Sequence, residues 1–218
     1  MLKAIIAATG LAVGLTGAAN AAERDAAFRI MWKGHPVGYH LVNIEETDDG
    51  VRVETRVEMR IKFGPIPVYR YSHQAVEYWR NGELQFLASV TTDDGVEKSV
   101  GAWRENGALM VEGTAYSGPA PDGAIPASCW SRSVLGAHKV FSMQDGEIID
   151  VDVENLGESV SPAGISADHF KMTGTLSVDV WFKGDEWVGS QFIAEGEEFT
   201  LRPLNSDDEE QKLLAMLD

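Results

Sequence analysis

One cysteine, Cys129, stands among 218 residues. An internal disulfide is therefore impossible, and a stable fold has to rest on a packed core. Cations are scarce too: 18 Lys and Arg face 34 Asp and Glu, for a formal net charge of −16. Such a surface repels phosphate. No run of the chain gathers Lys and Arg into the basic patch that nucleic acid or an anionic membrane surface demands. The acidity favours solubility and a cationic partner instead.

Chemical signatures are missing as well. His35, His40, His73, His138 and His169 never fall into H-x-H, H-x-x-H or H-E-x-x-H groupings, so no metal is expected. Asp48-Asp49 and Asp93-Asp94 each precede a glycine, where Asp serves the turn backbone, and calcium-loop spacing is absent. Ser128, Ser131 and Ser133 lack a G-x-S-x-G elbow, which argues against that class of hydrolase. Cys129 has His138 nine residues on but no local setting that would hold a thiolate, so it reads as a small buried hydrophobe beside Trp130. Neither a cofactor nor a catalytic residue is expected.

A long apolar run occurs only at the N-terminus. Lys3 precedes an apolar stretch from Ala4 to about Ala19, and Ala19-Asn20-Ala21 closes it; this is a secretory signal peptide cleaved after Ala21. The run is too short and too rich in Gly, Ala and Thr to span a bilayer, which takes about 20 apolar residues. No cysteine at the cleavage point offers a lipid anchor. The expectation is a periplasmic protein without an integral membrane segment after cleavage, its net charge moving from −16 to −17 with the loss of Lys3. Residues 1–21 are thus signal, residues 22–204 a single β domain, and residues 205–218 an acidic C-terminal tail or short helix with Ser206 as its cap.

The β domain is written in alternation. In "VRVETRVEMRIKF", residues 51–63, Val51, Val53, Thr55, Val57, Met59, Ile61 and Phe63 alternate with charged residues, which makes a strand with one face buried. It would extend roughly 40 Å, about twice the usual strand, and long strands twist and curl. Turn chemistry recurs at Gly34 to Gly38, Asp48-Asp49-Gly50, Gly64 to Pro67, Asn81-Gly82, Asp94-Gly95 and Asn106-Gly107, so seven strands are expected over residues 26–113. Residues 116–128 read as a long loop and residues 129–142 as a helix of one to three turns, after which four or five more strands follow. The fold class expected is all-β with one or two short helices: an antiparallel meander of about 11–12 strands curled into a barrel or half-barrel.

Residues 67–79 are the candidate site. Strand parity puts Tyr69, Tyr71, His73, Ala75, Glu77 and Trp79 on one face and Val68, Arg70, Ser72, Gln74, Val76 and Tyr78 on the other. His73 and Glu77 then lie about 13 Å apart and form no catalytic pair. The ladder of Tyr69, Tyr71 and Trp79 has two readings, cross-strand packing and the wall of an apolar cavity. Packing is the simpler one. Trp32, Met59, Phe63, Phe86 and Trp103 could complete such a wall. Arg70, on the far face, suits a surface carboxylate or an anionic head group.

The stretch "YRYSHQAVEYWRNGELQFLASVTTDDG", residues 69–95, resembles an uncharacterised family of exported proteobacterial proteins. The resemblance is carried by Tyr69, Arg70, Tyr71, His73, Glu77, Trp79, Gly82, Leu87, Ser89, Thr91 and Gly95. It extends more loosely to Gly34, Gly38, Pro126, Trp130 and Trp181. It implies an antiparallel, curved sheet of lipocalin-like or lipoprotein-carrier-like form and no catalytic residue. The leading expectation is a non-catalytic periplasmic binding or carrier protein for a lipid-like, apolar or amphipathic ligand. The alternative is an envelope assembly factor that binds another protein through a sheet edge or its acidic face. An enzyme comes third.

Overall fold

The computed structural model describes residues 26–204 except 176 and 195. The expected signal peptide and C-terminal tail lie outside the described residues. Eight strands come first: β1 (Ala26–Trp32), β2 (His35–Thr47), β3 (Gly50–Phe63), β4 (Ile66–Arg80), β5 (Glu83–Asp93), β6 (Val96–Glu105), β7 (Ala108–Gly113) and β8 (Ser117–Pro119). A connecting segment follows, with β9 (Ile125–Pro126), a 3-10 turn (Arg132–Gly136), β10 (Lys139–Phe141) and β11 (Ile148–Asp150). The chain then resumes its meander in β12 (Asp152–Val160), β13 (Ser166–Thr173), β14 (Ser177–Lys183), β15 (Glu186–Ala194) and β16 (Glu197–Pro203).

Seven strands do occupy residues 26–113, and the dipeptide turns explain why. Asn81-Gly82, Asp94-Gly95 and Asn106-Gly107 each hold both residues at positive φ, between 46° and 88°, the geometry that two-residue hairpins require. Three expectations need correction. Thirteen strands, rather than 11–12, make the main sheet, and β9 to β11 make a second sheet of three. The loop at 116–128 contains β8 and β9; the short helix expected within 129–142 is present as the five-residue 3-10 turn, which ends before β10 begins at Lys139. Gly38 lies inside β2, where a Cβ would meet Glu58 O of the neighbouring strand at 2.1 Å; it serves close packing, and the turn is Lys33-Gly34 alone.

The main sheet runs β12-β13-β14-β15-β16-β1-β2-β3-β4-β5-β6-β7-β8, and every neighbour is antiparallel. The last strand thus returns to the first, while β8 and β12 stay apart as free edges. Val134, Val140, Phe141 and Met143 of the connecting segment share one apolar core with Val53, Leu87 and Ala102 of the first meander and Phe170, Val180 and Phe182 of the second. A single sheet reaches one segment from both halves only by curling round it. The architecture is a half-barrel filled by its own plug, residues 120–151.

Two glycines seat that plug. A Cβ at Gly113 would lie 2.3 Å from Asp145 O, and one at Gly174 would lie 2.9 Å from Asp150 O, so only hydrogen at these positions lets the backbones close. Arg132 pins the other end. Its guanidinium donates to Asp168 Oδ2 at 3.1 Å and Gly184 O at 2.5 Å and lies over the rings of Phe170 and Phe182.

The β3–β4 hairpin outruns its neighbours. β2 leaves β3 after the Gly38–Met59 pair and β5 leaves β4 after Tyr71–Asp93, yet β3 and β4 continue to Phe63–Ile66. This ribbon brings Arg60, Lys62 and Arg70 together. Arg60 and Lys62 on one strand and Arg70 on the other thus become one basic cluster through pairing.

Candidate functional site

The inner face of β4 carries the residues that strand parity assigned to it. His73 is buried and its Nδ1 lies 2.8 Å from Thr91 Oγ1 on β5. Burial holds its imidazole down at about 4. His40 of β2 stands in the same cross-strand row, through Val57, and packs against Phe28 and Trp187. Burial, aided by His73, lowers it to about 3. Both rings are neutral at neutral pH.

Glu77 is deeper still, at 0% exposure. Its Oε2 accepts from Trp79 Nε1 at 2.8 Å and, at a longer 3.4 Å, from Trp130 Nε1 of the plug. Burial pushes its carboxyl up to about 7, and the hydrogen bonds from Trp79, Trp130 and Ser128 offset only part of that cost. Among the described residues its Oε1 has no partner, and neither has Thr55 Oγ1, which sits on β3 opposite Ala75, two residues from Glu77. The site can hold a proton in a buried interior. Desolvation pushes the nearby Cys129 thiol up to about 12, away from the reactive thiolate form.

Towards the β3–β4 turn the same inner face opens. Met59 pairs with Tyr71 and Ile61 with Tyr69, and all four side chains are only partly buried. Two strands away in the same sheet, Trp32 of β1 pairs with Phe199, and Phe199 with Phe192; Trp32 and Phe192 are also half-covered. These half-covered apolar side chains line one end of the half-barrel, its mouth. Tyr69 donates its hydroxyl to Asp93 Oδ1 at 2.9 Å, so the rim has a polar edge.

The predicted wall therefore splits in four. Tyr69, Tyr71, Trp32 and Met59 reach the mouth, whereas His73 and Trp79 lie within, Trp79 edge to face with Trp130 of the plug. Trp103 and Phe86 are corrected: they stand on the outer face at 36% and 43% exposure, while Ala102 and Leu87 point inward. Phe63 caps the projecting hairpin rather than the wall. Arg70 is on the outer face, as parity required, but opposite Arg60 rather than a carboxylate. Sequence reasoning missed Trp130 and Thr55, and saw Glu77 only as a failed partner for His73. The signal available for Glu77 was its parity, since a carboxylate on an apolar face is rarely left there unpartnered.

A family model described as "Domain of unknown function (DUF6134)" matches residues 28–204. No curated protein matches. Among solved structures, the chain is similar to a β-barrel-like protein of the domain of unknown function DUF1849 from Brucella abortus, with a TM-score of 0.60 at 9% identity over 83% of this chain and 95% of that one. At that identity the likeness concerns the fold alone, and it agrees with a curled, nearly all-β sheet.

Proposed function

Since the chain belongs to the DUF6134 family, whose function is unknown, we propose its role from geometry: a non-catalytic periplasmic binding or carrier protein for an apolar or amphipathic, lipid-like ligand. The observation that carries this reading is the mouth. Trp32, Met59, Ile61, Tyr69, Tyr71 and Phe192 leave apolar surface half-covered on the inner face of a curled sheet, and a concave apolar surface with a few polar groups is the common form of a small-molecule site. The plug packs into the interior of the sheet, which leaves this end for a ligand. Export is supported by the composition of residues 1–21.

Titration with an environment-sensitive apolar dye tests the reading. Tyr71→Ala and Met59→Ala should each weaken dye binding about tenfold in protein that remains folded, and Phe86→Ala, on the outer face, should leave it unchanged. Equal affinity in the mouth variants and the parent would remove the mouth as the site.

A further inference from the structure

Between Met59 and Tyr71 the sequence MRIKFGPIPVYRY holds three cations and no Asp or Glu, in a chain of net charge −16. The fold turns this stretch into a ribbon of two strands with no third strand on either side. At its tip Phe63, Ile66 and Val68 are 80%, 62% and 56% exposed. Among the described residues Phe63 is the most exposed large hydrophobic, and it stands with Ile66 and Val68 on one hairpin end.

The cations form a collar behind them. Arg60 and Arg70 pair directly across the ribbon, an arrangement of like charges that disfavours the hairpin. Among the described residues neither makes an ion pair with a carboxylate. Two acids at the foot of the ribbon are engaged elsewhere: Glu58 with Arg56 and Asp93 with the Tyr69 hydroxyl. Pro65 and Pro67 remove two backbone donors from the tip, which argues against its adding to the sheet of a protein partner.

We propose that the β3–β4 tip docks the protein on an anionic lipid surface. From Phe63 back to Arg60 the ribbon spans about 10 Å, comparable to the depth of about 5–10 Å at which interfacial segments bury their apolar face. With Phe63, Ile66 and Val68 at the acyl boundary, Arg60, Lys62 and Arg70 lie at the level of the phosphates, where guanidinium groups bind best. The acidic body of the molecule is repelled by the same surface, so contact is confined to the tip. Arg60 and Arg70 then share phosphate instead of facing each other alone.

The mouth opens beside this hairpin, but docking does not require a ligand in the mouth. Co-sedimentation of the exported protein with phosphatidylcholine vesicles, with and without 30% phosphatidylglycerol, separates the two. The parent should bind the anionic vesicles at least tenfold more tightly than the neutral ones, and high salt should weaken that binding. Arg60→Gln with Arg70→Gln, and separately Phe63→Ser with Ile66→Ser, should each reduce it about tenfold or more with unchanged circular dichroism. Phe86→Ser with Trp103→Ser removes exposed aromatics from the outer face and should leave it unaltered. Failure of the parent to bind anionic vesicles, equal binding by the tip variants, or loss only in the outer-face variant would each overturn docking by the tip. A tip that instead proved necessary to retain a co-purifying protein, with no vesicle binding, would overturn it in favour of a protein site. Dye binding by Tyr71→Ala answers the separate question of the mouth.

Discussion

Trp130 of the plug meets Trp79 of β4 edge to face, with ring centroids 5.8 Å apart and planes at 75°. Both indole N–H groups aim at one oxygen of Glu77, so the plug and the sheet are joined through a buried carboxyl. That carboxyl titrates near 7 in the fold against an ordinary 4.5. Between those values the folded state keeps a proton that the unfolded state has lost, so this contribution to stability falls as pH rises from about 4.5 to 7. Its size is about 3 kcal/mol. Glu77→Gln does not titrate. Urea midpoints taken from pH 4 to pH 8 should therefore show the variant gaining on the parent by about that amount as pH rises; a constant difference would mean that Glu77 is not held neutral.

His73 works with the opposite sign. Its folded value of about 4 lies below the ordinary 6.5, so the unfolded state takes up the proton first as pH falls. Stability from this group is complete above about 6.5 and is lost towards pH 4. His73→Gln can keep a bond to Thr91 and should remove about 3 kcal/mol of the acid slope. His40, lowered to about 3, retains a slope of its own. The acid limb of the urea midpoint against pH should therefore flatten without vanishing; an unaltered limb would rule out His73 as its source.

Much of this architecture was legible in the chain, for physical reasons that also mark where legibility ends. Alternation in β3 and positive-φ dipeptides at 81–82, 94–95 and 106–107 act locally, so strands and turns could be read together with the face each β4 residue takes. Bulges act across strands. The register shift between Tyr78 and Trp79 places Leu84 opposite Trp79 and Phe86 opposite Tyr78, so Phe86 is turned outward by an event that β5 alone does not record. Trp103 misleads for another reason: Val100 and Ala102 fill the inner positions of β6, where Ser89 on the adjoining strand already donates to Met143 O of the plug at 2.6 Å. A segment of turns and two-residue strands carries no period, and nothing in it announces that it will fill the barrel. The collar of Arg60, Lys62 and Arg70 likewise exists only once β3 and β4 are paired.

Cys129 is half-buried and desolvation pushes its thiol up to about 12. At pH 8 almost none of it is thiolate, the form that reacts. Alkylation by iodoacetamide should be at least a hundredfold slower in the folded protein than in urea. Cys129→Ala should cost about 1 kcal/mol and leave dye binding intact. Fast alkylation of folded protein would show a thiolate-stabilising contact that desolvation does not account for.

The seat of the plug depends on Gly113. Its N–H donates to Tyr116 O at 2.8 Å, Ala115 N donates to Asp145 O at 2.8 Å, and a Cβ on Gly113 would stand 2.3 Å from that same Asp145 oxygen. Backbone meets backbone here, so no side chain can rotate away to make room. Gly113→Ala should cost about 1–3 kcal/mol, as overpacking of a closed interior does. The loss should be local before it is global: amides of residues 142–146, including Gly146 N bonded to Ser142 O at 2.9 Å, should exchange faster than those of β3 and β4. Gly136, in the same segment, has nothing within 4 Å of its Cβ position and no positive φ, so Gly136→Ala should stay within about 0.5 kcal/mol of the parent. If Gly113→Ala matched Gly136→Ala in both urea midpoint and exchange at 142–146, the close approach at Asp145 would not be what holds the plug in the barrel.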